Sequence, residues 1–363
     1  MKPLSHFQLA CCAAMIAVCL PTDSALSEQL MSLGGHPLCE ASAATLLPCP
    51  DADGTCLLVG DNEVRDELFL YRLENGRVSE DSRQSLSLDS ILSGEGDREE
   101  ELSDIEALAP VSPNEIAIFG SHSRNSACDT KKKRRQYLHA ELQESTLVEG
   151  SLPPVKSKKH SCKRLFGRPL DELKGTLRSV CDAIETAEGE AEAAFALSDE
   201  VDQREACSSS AAFNLEGAVA VPAENGDLRV WIGLRAPLVD NKAVLLRQIS
   251  SRETFQFDIA VLVDLGGFGV RDLTYAHGQL WGIAGPPTDA DDPHRLWRFA
   301  PETLADDTVI EPQHLGELPN FSEGLAIHED TAIVLLDGDE GDEAGSCAVD
   351  SQYMTKQVDI PAP

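Results

Sequence analysis

The sequence is poor in positive charge. It has 30 Lys and Arg against 62 Asp and Glu, a formal net charge of −32. A surface this acidic repels nucleic acid and anionic lipid, and it favours solubility, cations or basic partners. Nucleic-acid binding as the main task is excluded, since phosphate contacts need clustered Lys and Arg. No CxxC pair occurs, so neither a structural zinc site nor a thioredoxin-like site is supported. HxxxH, HExxH and GxSxG are also missing, which removes the signatures of a zinc hydrolase and of a nucleophile-elbow serine enzyme. Gly266-Gly267-Phe268-Gly269 is half a dinucleotide fingerprint. It runs into another strand, without the helix N-terminus that cradles pyrophosphate. The acidic run Asp337 to Glu343 lacks EF-hand spacing and reads as a flexible turn.

The apolar run Leu9 to Leu20 has signal-peptide length and is too short to span a bilayer as a helix. Residues 1–25 therefore read as a secretory signal, with Lys2 as a meagre n-region and Ser24-Ala25 as the cleavage point. A lipoprotein reading through Cys11 and Cys12 would leave a very short n-region, so secretion or a periplasmic location is preferred, with no transmembrane segment. Cysteine usage agrees. Cys39, Cys49, Cys56, Cys128, Cys162, Cys181, Cys207 and Cys347 follow the signal, an even set expected to form disulfides in an oxidising compartment. Cys49 and Cys56 flank a turn and suit a hairpin bridge. A Cys39–Cys347 bridge would tie the two chain ends together.

At 363 residues and 42% hydrophobic content, the chain is long enough for a large core. Its organisation is repetitive. Phe213 to Leu238 reads as an acidic-small pair (Glu216-Gly217), an apolar strand, a turn at Asn225-Gly226 and a strand reaching Gly233. The plan recurs at Glu106-Ala107 with a strand to Gly120, at Asp272-Leu273 with a strand to Gly285, and at Glu323-Gly324 with a strand near Gly338. A weaker first copy spans Glu40 to Glu63. The later acidic positions lie about fifty residues apart, roughly one four-stranded propeller blade. A single such sheet cannot bury both faces, whereas radial stacking buries each face on its neighbour and leaves short edges. The fold expected is all-β, a β-propeller of five blades, with six if a degenerate blade is hidden. The tail after Gly345 supplies a strand that closes the ring.

The interval from Glu106 to Glu216 is about twice the repeat. An insertion over about residues 150–212 accounts for it, with a helix over 169–187. Pro169 suits a first turn, and Leu170, Leu173, Leu177, Val180, Cys181 and Ile184 form one apolar face. Asp199 to Ala212 and the polar stretch Ser79 to Glu101 read as connections. The basic runs KKKRR and KSKKHSCKR offer either a docking patch for an anionic partner or a solvated rim, and the rim is favoured.

At LEG (Leu215-Gly217), GLRAPL (Gly233-Leu238), DLGGFGVRDL (Asp264-Leu273), GPPTD (Gly285-Asp289) and SEGLA (Ser322-Ala326) the chain resembles a bacterial family of exported propeller-like proteins, a domain of unknown function. The resemblance implies a propeller-like fold and no established activity. The repeated E-G-hydrophobic-A pattern is also distantly similar to secreted propeller hydrolases, such as calcium-dependent lactonases and phytase-like esterases.

Candidate chemistry sits at the strand starts, which surround a propeller's channel. Converging carboxylates repel unless a cation neutralises them, and calcium suits oxygen-rich cages. Glu106, Glu216, Asp272 and Glu323 are the candidate calcium ligands; the plainer reading has each accept backbone N–H groups within its blade. Arg124, Arg235 and Arg271 lie beside these motifs, either paired to carboxylates or holding a ligand. Asp289 and His122 complete the candidate ligand set. His122 is the best base candidate, with a surface position expected. Trp231, Trp281 and Trp297 read as packing residues. The function expected is a binding module for a small molecule or protein at the loop-rich face. The alternative is a calcium-dependent secreted hydrolase acting at channel carboxylates.

Overall fold

The computed structural model describes residues 29–50, 53–92, 101–156, 160–197, 199–223, 225–249, 254–288, 290, 292–340 and 346–360. The signal expected over 1–25 and the candidate Asp289 lie outside the described residues. The chain forms a five-blade β-propeller. Blade 1 comprises Ala41–Pro48, Thr55–Asp61, Glu67–Glu74 and Arg77–Ser87. Blade 2 comprises Ile105–Pro110, Glu115–Gly120 and Gln136–Gln143, edged by Thr146–Glu149 and Val155–Lys156. Blade 3 runs Asn214–Pro222, Leu228–Val239, Lys242–Ile249 and Gln256–Val263, with Val309–Ile310 added in parallel at its edge. Blade 4 runs Gly269–Ala276, Gln279–Gly285, His294–Phe299 and Gln313–Leu318. Blade 5 runs Ser322–His328, Thr331–Leu336 and Gln352–Gln357.

The fourth strand of blade 5 is Met31–Ser32, from the other end of the chain. The first strand of each blade packs against the first strands of both neighbouring blades, so the five close a ring. These inner strands are buried almost throughout, as in Ser322–His328 and Asn214–Pro222. A strand covered on both faces loses the alternation of a half-exposed one, which is why EGAVAV and EGLAI read as unbroken apolar runs. The closure is reinforced by a Cys39–Cys347 disulfide and by Ser351, whose Oγ donates to Cys39 O at 2.6 Å and accepts from Ala41 N at 2.9 Å. Cys49–Cys56 bridges the first hairpin.

Two expected connections are ordered. Arg77–Ser87 is the outer strand of blade 1, its solvent-facing side disguised by polar residues. Glu200–Ser209 is a helix. It has only a small apolar contact, Ala206 and Cys207 against Ala191 and Ala194, and is secured by its cap, where Asp199 accepts from Val201 N and Asp202 N, and by the Cys207–Cys128 bridge. The main inserted helix is Gly175–Phe195, later than the expected 169–187. Gly175 has φ +54°, so the helix cannot continue back to Pro169, which precedes a 3-10 turn instead. Leu177, Val180, Cys181 and Ile184 face blade 3, and Cys181 is bridged to Cys162.

His122 and His160 lie beneath this insertion, fully enclosed. His122 stacks on Phe255 and His160 on Phe213, and His122 Nδ1 is 3.3 Å from His160 Nε2. The expected surface position of His122 is therefore wrong: a loop between two stacked layers is buried by the insertion that covers it. Burial, helped by Arg135 and Arg124, lowers the His160 pKa to about 3. Burial and His160 itself hold His122 well below its ordinary value. An imidazole with a depressed folded-state pKa contributes stability that is complete above its unfolded value and lost as pH falls. The stability advantage of wild type over His160→Phe should thus shrink by about 3 kcal/mol between pH 7 and 4. Urea midpoints across that range test this, and a constant difference would refute it.

Candidate functional site at the channel mouth

Every inner strand carries a one-residue irregularity at the end where it enters the ring. Pairing skips Ser42, Glu106, Glu216, Arg271 and Glu323 in blades 1 to 5. A bulge takes one residue out of the ladder and re-aims its side chain. Glu106, Glu216, Arg271 and Glu323 all line one cavity of about 330 Å³, and Glu106 and Glu216 also line an adjoining one of about 450 Å³.

The register corrects one sequence alignment. Arg271, not Asp272, is the counterpart of the three glutamates. A one-residue step in a strand moves a side chain to the other face, so Asp272 occupies the place of Gly217 and Gly324. Its fully buried carboxylate accepts from Leu273 N and Leu325 N, both at 2.7 Å, and from the Ala44 backbone. It ties blade 4 to blade 5 and, across the axis, to blade 1. Burial still pushes its pKa well up against those hydrogen bonds.

The mouth is an unbalanced charge cluster. Arg271 Nη1 contacts Glu216 Oε2 at 2.6 Å and Glu323 Oε1 at 3.1 Å, and Arg235 Nη1 contacts Glu216 Oε1 at 3.0 Å. Burial raises the Glu216 carboxyl, but the two guanidiniums override it and leave the pKa below its ordinary value. Burial pushes Glu323 up with Arg271 opposing, and Glu323 stays raised. Asp104 is raised by burial despite Arg134 at 3.0 Å. Among the described residues, no hydrogen bond or ion pair reaches Glu106. Burial, then Asp104, Glu216, Glu323 and Asp337, drives it well above the ordinary range. Asp337 is displaced the same way by burial and by Glu323. Five carboxylates thus face three guanidiniums, those of Arg134, Arg235 and Arg271.

The structure separates the other predicted residues. Arg124 lines the larger cavity, but its Nη2 and Nε hold Glu188 of the inserted helix at 2.7 and 3.1 Å. Within the KKKRR run, Lys131 meets Asp129, Lys133 meets Glu101 and Arg134 meets Asp104. Three of the five basic residues of the run thus meet acidic side chains. Trp281 and Trp297 are fully buried and Trp231 nearly so.

A family model described as a protein of unknown function (DUF3616) matches residues 49–352. The chain belongs to the DUF3616 family. No curated protein matches it. Among solved structures it is similar to a GH43 β-1,3-galactosidase bound to galactodeoxynojirimycin, at 11% identity over 88% of this chain and 91% of that one, with TM-score 0.40. A second is the PQQ-bound aldose sugar dehydrogenase of Streptomyces coelicolor, at 14% identity over 90% of this chain and 98% of that one, with TM-score 0.37. Both likenesses are distant, and nothing about activity follows from them.

In this DUF3616 chain the sequence reading missed Asp104, Asp337, His294, Asn62 and Phe321, and the cavities recover them. A signal existed for Asp337. It directly follows the second strand of its blade, at the end paired with the bulged inner strand, where blade 1 has Asn62 after the strand-terminal Asp61. Asp61 is already engaged by four backbone N–H groups, from Cys39, Glu40, Glu63 and Val64. The side chain of Asp337 leaves Oδ1 buried without a partner among the described residues. The one-residue step in register separates the two: Asp61 is paired within its strand, and Asp337 lies just past the end of its own. His294 depends on Gly285, where a Cβ would stand 2.5 Å from His294 Nε2 and 2.9 Å from Arg271 Cγ.

Proposed function

We propose that this protein is an exported binding module whose ligand site is the acid-rich channel mouth, and that calcium is the cation that neutralises it. The observation that carries the reading is the buried carboxylate of Glu106, surrounded by other acids on the wall of both cavities. Buried carboxylates without a counter-charge stay only if protonated or paired with a cation. Glu106, Glu323 and Asp337 offer oxygen donors, which calcium prefers. Glu216 is committed to two arginines and Asp272 to backbone N–H groups. The donors are not drawn into a closed cage. Among the described residues the one grouping of possible ligand atoms within 4.8 Å is Cys162, Cys181 and Glu185, and its cysteines are disulfide-bonded. A bound ion would therefore pull Glu106 and Asp337 together. Export is supported by the four disulfides, and among the described residues no helix is long and apolar enough to cross a membrane.

Calcium titration of the full chain, followed by calorimetry and thermal unfolding, tests this. Saturating calcium is expected to stabilise the fold by about 2–3 kcal/mol at a hundredfold excess over Kd, and Glu106→Gln should weaken binding about tenfold or more. A calcium-independent unfolding curve with no heat of binding would end the cation role. The second reading is a hydrolase. Glu106 and Glu216, on one cavity, are displaced in opposite directions, up by burial and down by two arginines, the arrangement of a general acid beside a base. Turnover of lactones or phosphoesters, with and without calcium, abolished by Glu106→Gln, would select it.

A further inference from the structure

The smaller cavity at the mouth shows a second feature besides its acid excess: polar atoms that are enclosed yet unmatched. Arg271 donates through Nη1, but its Nε has no partner among the described residues. Asp337 Oδ1 and Asn62 Oδ1 are acceptors in the same condition. Neither ring nitrogen of His294 makes a hydrogen bond of normal geometry, although the Asp292 main chain lies near it. Arg271 and His294 are more than nine-tenths buried, and all four residues line the one cavity. Buried polar groups are almost always satisfied, so four such groups on one wall call for a common partner.

Phe321 supplies the rest. It lines the same cavity, is 57% exposed, and has φ +63°. A bulky non-glycine residue in the left-handed region is uncommon and is held there by its surroundings. Here the Phe321 carbonyl accepts from Asp337 N at 2.8 Å, which fixes the turn and leaves the ring at the rim.

The partner must accept from Arg271, donate to Asp337 and Asn62, and exchange a proton donor or acceptor with a neutral His294. A hydroxyl does both. It must also be small, because about 330 Å³ lies at the low end of ligand pockets. It must carry one apolar face for Phe321. We propose that this cavity takes the ring of a neutral sugar, its hydroxyls meeting Arg271, His294, Asn62 and Asp337 and its C–H face lying on Phe321. This rests on the reading of the mouth as a ligand site and names the ligand class.

The test uses the full chain with glucose, galactose, mannose, xylose and arabinose, first by saturation-transfer NMR and then by calorimetry, with and without calcium. At least one sugar is expected to bind, with its ring C–H protons receiving the strongest transfer. Phe321→Ala should weaken that sugar about tenfold, and Phe321→Trp should retain it. Phe321 is exposed, so its loss should leave folding intact. Asp337→Asn provides an independent check, expected to weaken the sugar with the melting temperature held. Binding of calcium with no response from any sugar overturns the sugar assignment and leaves the mouth as a cation site. Sugar binding that is indifferent to both Phe321→Ala and Asp337→Asn overturns the placement. No response to either probe removes this proposal and the parent reading together.

Discussion

Replacing Cys39 and Cys347 by serine should cost the fold about 5 kcal/mol, more than twice the loss from removing Cys49–Cys56. Both bridges constrain the unfolded chain, and the entropy they remove grows with the loop they close. The first has a sequence separation of 308 residues and the second of 7. In the loop-entropy account these correspond to about 5–6 and about 2 kcal/mol. Native geometry adds to the contrast. The hairpin under Cys49–Cys56 keeps its own ladder from Leu46–Leu57 outward. The ring, by contrast, is closed at its seam by a strand of two residues, Met31–Ser32, together with the Ser351 hydroxyl and the Tyr353–Val78 contacts. Without the bridge, the seam is the expected first opening, resisted by the apolar core that Phe69 and Tyr71 share with Ile333 and Tyr353. The measurement is urea unfolding of the two double-serine variants beside wild type, with limited proteolysis to locate the first opening. Equal, small losses in both variants would show that the seam's hydrogen bonds hold the ring unaided. Cleavage should begin near Met31 or Gln352 in the first variant and be unchanged in the second.

The architecture was legible because a propeller repeats the same physical problem. Each inner strand must be apolar on both faces, small near the axis and followed by a turn, and four copies of that pattern stood out. The bulge was legible too, as an acidic-small pair, yet its register was not. Two adjacent residues, Arg271 and Asp272, both suit the position by type. Only the pairing of Val270 with Ala284 and of Asp272 with Ile283 decides between them. The blade 1 strand Arg77–Ser87 and the helix Glu200–Ser209 escaped because polar residues cover them and what holds them is remote. The mouth was half legible. Residues at the inner-strand starts were found by repetition, whereas Asn62 sits unremarked at the end of the weak first copy, His294 opens an outer strand and Phe321 lies in the turn before an inner one. His122 shows the converse error: a polar residue after a strand was given to the surface, while the insertion folded over it.

Arg271→Met should be the most damaging single change at the mouth, with a loss of about 3–5 kcal/mol at neutral pH. Its guanidinium is enclosed and shared between Glu216 and Glu323. Removing it leaves Glu216 with Arg235 alone, and leaves Glu323 beside Glu106 and Asp337 with only the longer-range pull of Arg235. Burying an unpaired charge costs more than a missing hydrogen bond, and the chain relieves it by protonation. That gives the loss a pH signature. In the variant, the folded-state pKa of Glu323 rises further above its unfolded value. A carboxyl with a raised folded pKa contributes stability that is complete below the unfolded pKa and disappears as pH rises through the folded one. The deficit of Arg271→Met should therefore be smallest near pH 4–5 and grow toward pH 8. Adding Glu323→Gln to Arg271→Met removes the stranded charge and should recover about half the deficit at pH 7.5, while Glu323→Gln alone costs less than Arg271→Met alone. Urea unfolding of the four proteins across pH measures both effects. A uniform deficit below about 1 kcal/mol, or no recovery in the double variant, would mean that the mouth is wet and screened. The acid excess at Glu106 would then need no cation to neutralise it.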